Sequence, residues 1–129
     1  MFEVLDRQLE KLAMLWSIEE GLAGLYQLFE NVNHYAFLSL PEKYSIVYTL
    51  LRELLFEELA ILEEFTDPHL TTKMREVGVS DFLLILNNPR SWDLNARPIY
   101  SLRLTSKGQE FMDMYPNKLK QVEERRKRF

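Results

Sequence analysis

The sequence has no cysteine and few histidines, glycines and prolines: two, four and five respectively among 129 residues. The absence of cysteine excludes disulfides, thiolate metal sites and a cysteine nucleophile. His34 and His69 lie far apart in the sequence and make a poor zinc-binding set. Few glycines and prolines argue against a many-turned β sandwich. No uncharged apolar run approaches the ~18–20 residues that a membrane span needs, so we expect no membrane segment.

What is present indicates one folded domain without catalysis. The chain is 47% hydrophobic and 28% charged, which predicts a buried core, and its length suits a single domain. The start, MFEVLDRQLEK, carries charges of both signs and lacks a signal-peptide pattern, so we expect a cytoplasmic protein. The sequence holds no His-Glu-x-x-His pattern and no glycine-rich phosphate loop. We therefore predict a protein that is not an enzyme and that carries no metal and no cofactor.

Charge is divided unevenly along the chain. Residues 1–67 hold four basic and thirteen acidic side chains, a net charge of −9. Residues 68–129 hold twelve basic and seven acidic ones, a net charge of +5. Any contact with a polyanion should therefore belong to the second half, although a solvated face in each half explains the same pattern.

The spacing of apolar residues predicts a chain that is mostly helical. Leucines and aromatics recur every three or four residues from Phe2 to Val32, which indicates one long amphipathic helix. Pro41 marks the start of a second helix, and Thr105-Ser106 opens another after a strand. The predicted helices cover Phe2–Val32, Pro41–Leu55, Phe56–Phe65, His69–Val77, a segment beginning near Ser106, and Asn117–Arg128.

Two short segments have the pattern of strands. Phe82–Leu86 is a continuous apolar run, and Ile99–Leu104 alternates between its two faces. The segment between them, Arg90–Arg97, is polar and basic, so the two strands should form a hairpin with a basic tip. The predicted fold class is mainly α (α+β).

Three motifs in this order resemble a known family. LSLPEKYSIV at 38–47, ELA at 58–60 and LTSKG at 104–108 resemble segments of MarR-type transcriptional regulators, including their SarA-like branch. PadR-type regulators are the second choice, since they share the last motif with a preceding Arg and Tyr, as Arg97 and Tyr100 here. The resemblance implies a single winged helix-turn-helix domain over 1–129. Its parts would be a dimerisation helix at 1–33, the winged helix-turn-helix at 41–108 and C-terminal helices at 109–129.

The residue types at the expected reading positions suit DNA. Polar and basic side chains near the start of a recognition helix can reach base edges and phosphates in the major groove. A basic wing can lie over the minor groove, and a basic residue after it can meet phosphate. The candidate DNA-binding residues are Thr71, Thr72, Lys73, Arg75, Arg90, Arg97 and Lys107. They predict a sequence-specific double-stranded DNA-binding transcriptional regulator, in particular a repressor that occludes a promoter.

The resemblance also implies a homodimer formed through the first and last helices. It assigns to that interface Leu5, Leu9, Leu12, Trp16, Leu119 and Val122. It further implies a pocket for a small-molecule effector, for which the candidate aromatics are Trp16, Tyr26, Tyr35, Phe37 and Tyr44. The residues alone favour the simpler interpretation, in which both sets belong to the core.

A second function fits the same sequence. The overall acidity favours a protein–protein interaction module, a helical or winged-helix domain without DNA binding that holds a partner through its acidic first half. Under this interpretation 69–77 is an ordinary exposed amphipathic helix, and the basic loop pairs with its own Asp93.

Overall fold

The computed structural model describes residues 5–67, 69–70 and 72–128. These residues form five helices of eight or more residues, two helices of four residues and a small sheet. The helices are α1 (Arg7–Glu19), α2 (Leu25–Leu28), α3 (Glu30–Asn33), α4 (Leu40–Phe56), α5 (Val79–Leu86), α6 (Ser106–Asp113) and α7 (Pro116–Arg128). The strands are β1 (Ala60–Phe65), β2 (Lys73–Glu76) and β3 (Ile99–Leu104), and a 3₁₀ turn covers Pro89–Trp92. The predicted α+β class is confirmed at this level.

The three strands form one antiparallel sheet in the order β2-β1-β3. In the register, Glu64 lies opposite Arg75 of β2 on one side and Tyr100 of β3 on the other. The outer edge of β3 is covered, since Leu102 donates its N–H to the carbonyl of Ala23 at 3.0 Å. The edge strand β2 carries two cationic side chains, which discourage pairing with another strand.

The long first helix predicted over Phe2–Val32 is wrong in its extent. Residues 1–4 lie outside the described residues, and α1 begins at Arg7, where Asp6 caps it by accepting the N–H of Leu9 at 3.0 Å. The helix ends at Glu19 because Gly21 adopts a φ of +85°, which L-residues rarely adopt. The apolar period continues past this turn because α2 buries Leu25 and Leu28, and α3 buries Val32, against the same core.

The second predicted helix, Pro41–Leu55, is confirmed as α4. Ser39 accepts the N–H of Glu42, and the Glu42 carboxylate accepts the N–H of Ser39 at 2.9 Å. This capping box fixes the helix start, and Pro41 suits the first turn. The hydrogen bond from the Ser39 N–H to the carboxylate, followed by one from the Ser39 side chain, holds the pKa of Glu42 below its ordinary value.

The predicted helix Phe56–Phe65 is wrong, because its second half is β1. The chain leaves α4 through Glu58, whose φ of 60° breaks the helical path. The segment AILEEF then lies between β2 and β3, which satisfy its backbone on both sides. Its residues suit a helix by local preference, but the buried central position in the sheet decides the outcome.

The next two predictions are wrong in opposite senses. His69–Val77 was predicted as a helix, yet it contains β2, which pairs with Glu63 and Glu64 of β1. Phe82–Leu86 was predicted as a strand, yet it belongs to α5, which begins after Gly78. The run is a helix because Phe82, with two residues one turn later, supplies a buried stripe at helical spacing. No hairpin joins 82–86 to β3, since β3 pairs with β1.

The end of the chain follows the prediction more closely. β3 covers Ile99–Leu104 as expected, and α6 and α7 match the last two predicted helices. The cap of α6 is Thr105, one residue before the predicted Ser106: its hydroxyl accepts the N–H of Gly108 at 3.0 Å and donates to the carbonyl of Glu58 at 2.7 Å. A Cβ at Gly108 would lie 2.1 Å from the Leu59 carbonyl oxygen, so only glycine fits there.

The core lies among α1, α4 and the sheet. Its fully buried side chains include Leu12, Leu15, Leu50, Leu54 and Leu62. Among the described residues, no helix is both long enough and apolar enough to cross a membrane.

Candidate functional site

The structure separates the residues that were predicted to read DNA. Thr71 lies outside the described residues, and Thr72 is exposed in the bend before β2. Lys73 and Arg75 lie on β2 rather than on a helix. The recognition helix that would have carried them into a major groove is absent from the described part of 69–77, so the predicted helix is wrong. Contact of these residues with DNA stays a prediction.

Lys73 and Arg75 are engaged with carboxylates of the same chain. The Lys73 ammonium lies 3.2 Å from Glu63, and Arg75 contacts Glu64 at 3.3 Å and Asp81 at 3.0 Å. The hydrogen bond to Asp81 and the contacts with Glu64 raise the pKa of the Arg75 guanidinium. These two cations therefore hold β2 against β1 and α5.

The two carboxylates of β1 are buried. Glu63 is 6% and Glu64 is 8% exposed. Arg103 of β3 adds a second contact to Glu63 at 3.3 Å, and the Tyr100 hydroxyl donates to Glu64 at 2.9 Å. Burial, followed by the hydrogen bond to Glu64, raises the pKa of Tyr100 to about 12. We name Glu63, Glu64 and their partners on β2 and β3 the sheet carboxylate cluster.

The remaining predicted DNA-contacting residues lie at separate places. Arg90 is exposed in the 3₁₀ turn, and Arg97 precedes β3, where it donates to the carbonyls of Leu94 and Ala96 at 3.0 and 2.9 Å. Lys107 is in the first turn of α6, beyond the other end of β3. The six residues of β3 alone span about 20 Å, so the chain sets Arg97 and Lys107 far apart.

The residues predicted for a dimer interface are used inside one chain. Leu12 and Val122 have no exposed surface and Leu5 is buried, because α1 packs against α7. Within a single chain these side chains therefore belong to the core, and their assignment to a dimer interface stays a prediction. Leu9, Trp16 and Leu119 are half-buried against the same core.

A buried ion pair joins α7 to α1. Glu10 is 1% exposed and pairs with Arg125, whose Nη1 also donates to the Tyr35 hydroxyl at 2.9 Å. Tyr35 in turn donates to Glu10 at 2.9 Å. Burial first, then the nearby Glu10 charge, raises the pKa of Tyr35 to about 12.

The uneven charge of the sequence is largely neutralised within the fold. Six ion pairs among the described residues join a basic side chain of the second half to an acidic one of the first half. They are Lys73–Glu63, Arg75–Glu64, Arg103–Glu63, Lys118–Asp6, Arg125–Glu10 and Arg126–Glu20. The two halves meet in the sheet and in the contact between α1 and α7, where these six cations of the second half have carboxylate partners.

A surface groove lies between α4 and the segment that follows α5. One wall is a stripe of α4 at helical spacing, and the other is the 3₁₀ turn with the end of α5, which contributes Leu86 and Asn87. Its volume is about 490 Å³. We name this the aromatic groove and define it by Pro41, Tyr44, Ser45, Tyr48, Pro89 and Trp92.

Ring contacts hold the aromatic groove in shape. Tyr44 stacks on Phe29 with ring centroids 4.4 Å apart and meets the edge of Trp92 at 5.8 Å. The Trp92 indole N–H donates to the Leu86 carbonyl at 3.0 Å, and Asn87 donates to the Tyr48 hydroxyl at 3.3 Å. The walls are therefore preformed, while Tyr44 stays 40% exposed.

The aromatics predicted to surround one effector pocket are distributed over several surfaces. Tyr44 lines the aromatic groove, Tyr35 and Phe37 line a depression beside α7, and Trp16 lines another beside α6. A single pocket formed by all of them is therefore not present in the described part of the chain. Sequence reasoning missed Tyr48 and the role of Trp92, although the spacing of Pro41, Tyr44 and Tyr48 on one helix face was a usable signal.

Across residues 5–67, 69–70 and 72–128, no group of three or more His, Asp or Glu side chains is placed to hold a metal ion. No protein-family model, no curated protein and no solved structure matches this chain.

Proposed function

We propose that this protein is a non-enzymatic binding module that holds a short peptide segment of a protein partner in the aromatic groove. The observation that carries the proposal is a concave, preformed site lined by three aromatic rings, those of Tyr44, Tyr48 and Trp92. Tyrosine and tryptophan are enriched at protein interfaces because each presents a large apolar ring and a polar tip.

The dimensions of the groove also suit a peptide. Its α4 wall runs from Pro41 to Tyr48, about 10 Å of helix at 1.5 Å per residue. An extended peptide rises about 3.3 Å per residue, so three residues would lie along this wall. Rigid walls favour affinity because little side-chain freedom is lost on binding.

Selection from a random peptide library displayed on phage tests this proposal. The blocking variant is Ser45→Arg, which places a long side chain in the groove from an exposed helical position. The matched control is Ser80→Arg, an exposed serine on α5 outside the groove. We expect enrichment of related peptides on the wild type and on Ser80→Arg, and none on Ser45→Arg. Failure to enrich any peptide, or equal enrichment on Ser45→Arg, would contradict the proposal.

A second pair of variants tests the aromatic surface itself. Tyr44→Ala removes the most exposed ring of the groove, and Phe37→Ala removes a ring that is 60% exposed elsewhere. We expect the first to weaken binding of an enriched peptide by more than about tenfold, the effect of losing an aromatic anchor, and the second to leave it unchanged.

Double-stranded DNA binding by a winged helix is the second candidate. A small antiparallel sheet followed by a capped helix is compatible with that fold, and exposed Arg90 and Lys107 form no ion pair among the described residues. The MarR-type resemblance, the homodimer and promoter repression stay predictions within this candidate.

Selection of bound fragments from a random duplex pool tests the second candidate. Enrichment of an inverted repeat, with affinity that falls steeply with salt and weakens in Arg90→Ala and Lys107→Ala, would support it. A flat pool would reject it.

A further inference from the structure

We infer that the segment bound in the aromatic groove is acidic, with a carboxylate that pairs with Arg52 at one end of the groove. This inference rests on the proposed function and adds the chemical class of the partner. Arg52 lies on α4 one turn after Tyr48, and its guanidinium is 5.6 Å from the centre of the Tyr48 ring.

The first argument is that the cations near the groove differ from those of the sheet carboxylate cluster and from Arg125. Arg52 is exposed and, within the part of the chain that the structure describes, forms no ion pair with a carboxylate. The same holds for Arg90, which follows Pro89 in the other wall. By contrast, the cations of the sheet carboxylate cluster, and Arg125 of α7, are paired with the chain's own acids. The groove therefore leaves positive charge available to a ligand.

The second argument is that Arg52 is presented in a usable position. The Arg52 guanidinium lies over the Tyr48 ring, and this contact restricts its orientation. Because the group is planar, its N–H donors point outward from its edges and are not used by the ring contact. Arginine with its fork of donors pairs with carboxylates in a bidentate manner. A carboxylate is therefore a better match for this position than a neutral side chain.

The distance along α4 sets the spacing within the ligand. From Pro41 to Arg52 the helix rises about 16 Å, which five residues of an extended peptide cover. We therefore expect an apolar or proline residue against Tyr44 and Tyr48, and an Asp or Glu two to four positions away.

A nucleic acid is the less suitable anionic ligand for this groove. Single strands bind by stacking bases on open ring faces along a continuous cationic track. Here one face of Tyr44 is covered by Phe29, and Glu42 and Asp93 lie next to groove residues in the sequence. The whole chain carries a net charge of −4. Negative charge repels a polyanion more strongly than a peptide with one or two carboxylates, so the peptide is the better match.

The test is the same displayed library, applied to the wild type, Arg52→Glu and a control of equal charge change, Lys120→Glu. Lys120 is exposed on α7, away from the groove. We expect Asp or Glu at a fixed spacing from an apolar or proline position on the wild type and on Lys120→Glu. On Arg52→Glu we expect that acidic position to be lost or replaced by Lys or Arg. One synthetic peptide allows the ion pair to be tested directly. Replacing its Glu by Gln, or Arg52 by Ala in the protein, should each weaken binding about fivefold, as the loss of one partly exposed ion pair does. When both changes are combined, their effects on affinity should not add.

The failures are distinguishable. Peptides that enrich on the wild type but not on Ser45→Arg, with no acidic position and no response to Arg52→Glu, would overturn this inference and leave the peptide-binding proposal standing. No enrichment on any variant would overturn both. Tighter binding of a single-stranded oligonucleotide than of any peptide, blocked by Ser45→Arg, would replace the acidic peptide with a nucleic acid.

Discussion

Two regions of this molecule use basic side chains in opposite ways. In the sheet carboxylate cluster and at the contact between α1 and α7, lysines and arginines neutralise carboxylates brought from the first half of the chain. At the aromatic groove, Arg52 and Arg90 are exposed and form no ion pair among the described residues. The comparison teaches that cationic composition alone does not locate a binding surface. Cations with partners in the chain stabilise the fold, and cations without them are available for recognition.

The largest expected effect lies in the paired region, at Glu10. Replacing Glu10 by Ala leaves the largely buried Arg125 without its carboxylate, which we expect to cost about 3–5 kcal/mol in the free energy of unfolding. Urea denaturation measures this value. The matched control is Glu19→Ala, an exposed residue of the same helix that should cost less than about 0.5 kcal/mol. A loss at Glu10 as small as that of the control would show that the buried pair does not fasten α7.

A smaller effect is expected at Asp6, which both caps α1 and pairs with Lys118. Asp6→Ala should cost about 1 kcal/mol, whereas Asp6→Asn keeps a good cap and removes the charge. The hydrogen bond from Lys118 lowers the pKa of Asp6, so its contribution is present above the unfolded pKa of about 3.9 and is lost as the pH falls through the lower folded value. The free energy of unfolding, measured from pH 5 to pH 2, should therefore fall more in the wild type than in Asp6→Asn. Parallel curves would contradict the assignment.

The buried tyrosine hydroxyls predict a response to alkali. The pKa of Tyr100 is raised to about 12, above the unfolded value of about 10, so the neutral phenol stabilises the fold below pH 10 and this contribution is lost between pH 10 and pH 12. Tyr100→Phe should lower stability slightly at neutral pH and flatten the alkaline decline. Tyr35→Phe should act in the same way and independently, since Tyr35 belongs to the Glu10 contact. Thermal unfolding across this pH range checks both; an alkaline decline unchanged in either variant would contradict the burial of that hydroxyl.

The smallest effects are expected at the groove. Arg52→Ala and Arg90→Ala should each change the free energy of unfolding by less than about 0.5 kcal/mol, because neither breaks an ion pair. Urea denaturation of these two variants and of Arg125→Ala compares the available cations with a paired one directly. Equal losses in all three would remove the distinction between paired and available cations.

The sequence predicted those elements whose ends carry a local signal. Ser39 and Glu42 fix the start of α4, and Thr105 with Gly108 fixes the start of α6, so both were recovered to within about a residue. The alternation of Ile99–Leu104 identified β3 because Tyr100, Leu102 and Leu104 share a face that packs against the core, while Arg103 on the other face is exposed. These signals act within a few residues and therefore survive in the sequence.

The middle of the chain was not predictable in the same way. AILEEF has good helix formers, yet it forms the central strand because Lys73, Arg75 and Arg103 neutralise Glu63 and Glu64 from both neighbours. That pairing is tertiary and leaves no periodic trace. The run FLLIL is apolar at every position, so periodicity does not separate a buried strand from a short helix. Lys73–Glu76 forms a strand where a helix was predicted, and Val79–Leu86 forms a helix that includes the predicted strand. The described residues therefore contain neither the predicted recognition helix nor the predicted hairpin.

The candidate site was only partly predictable for the same reason. Tyr44 was recognised as a candidate aromatic, but the groove needs Trp92 and Pro89, which reach α4 only after α5 and the 3₁₀ turn fold beside it. The basic residues were identified by type and position in the sequence. Their partners, which determine which of them are available, become visible only in the fold.

Chemical-shift mapping of the isotopically labelled protein, titrated with an enriched peptide, tests the central claim most directly. The account predicts shifts at Tyr44, Ser45, Tyr48, Arg52 and Trp92, with β2 and the start of α6 unaffected. Shifts confined to Lys73–Glu76 and Lys107, with the aromatic groove unaffected, would contradict it.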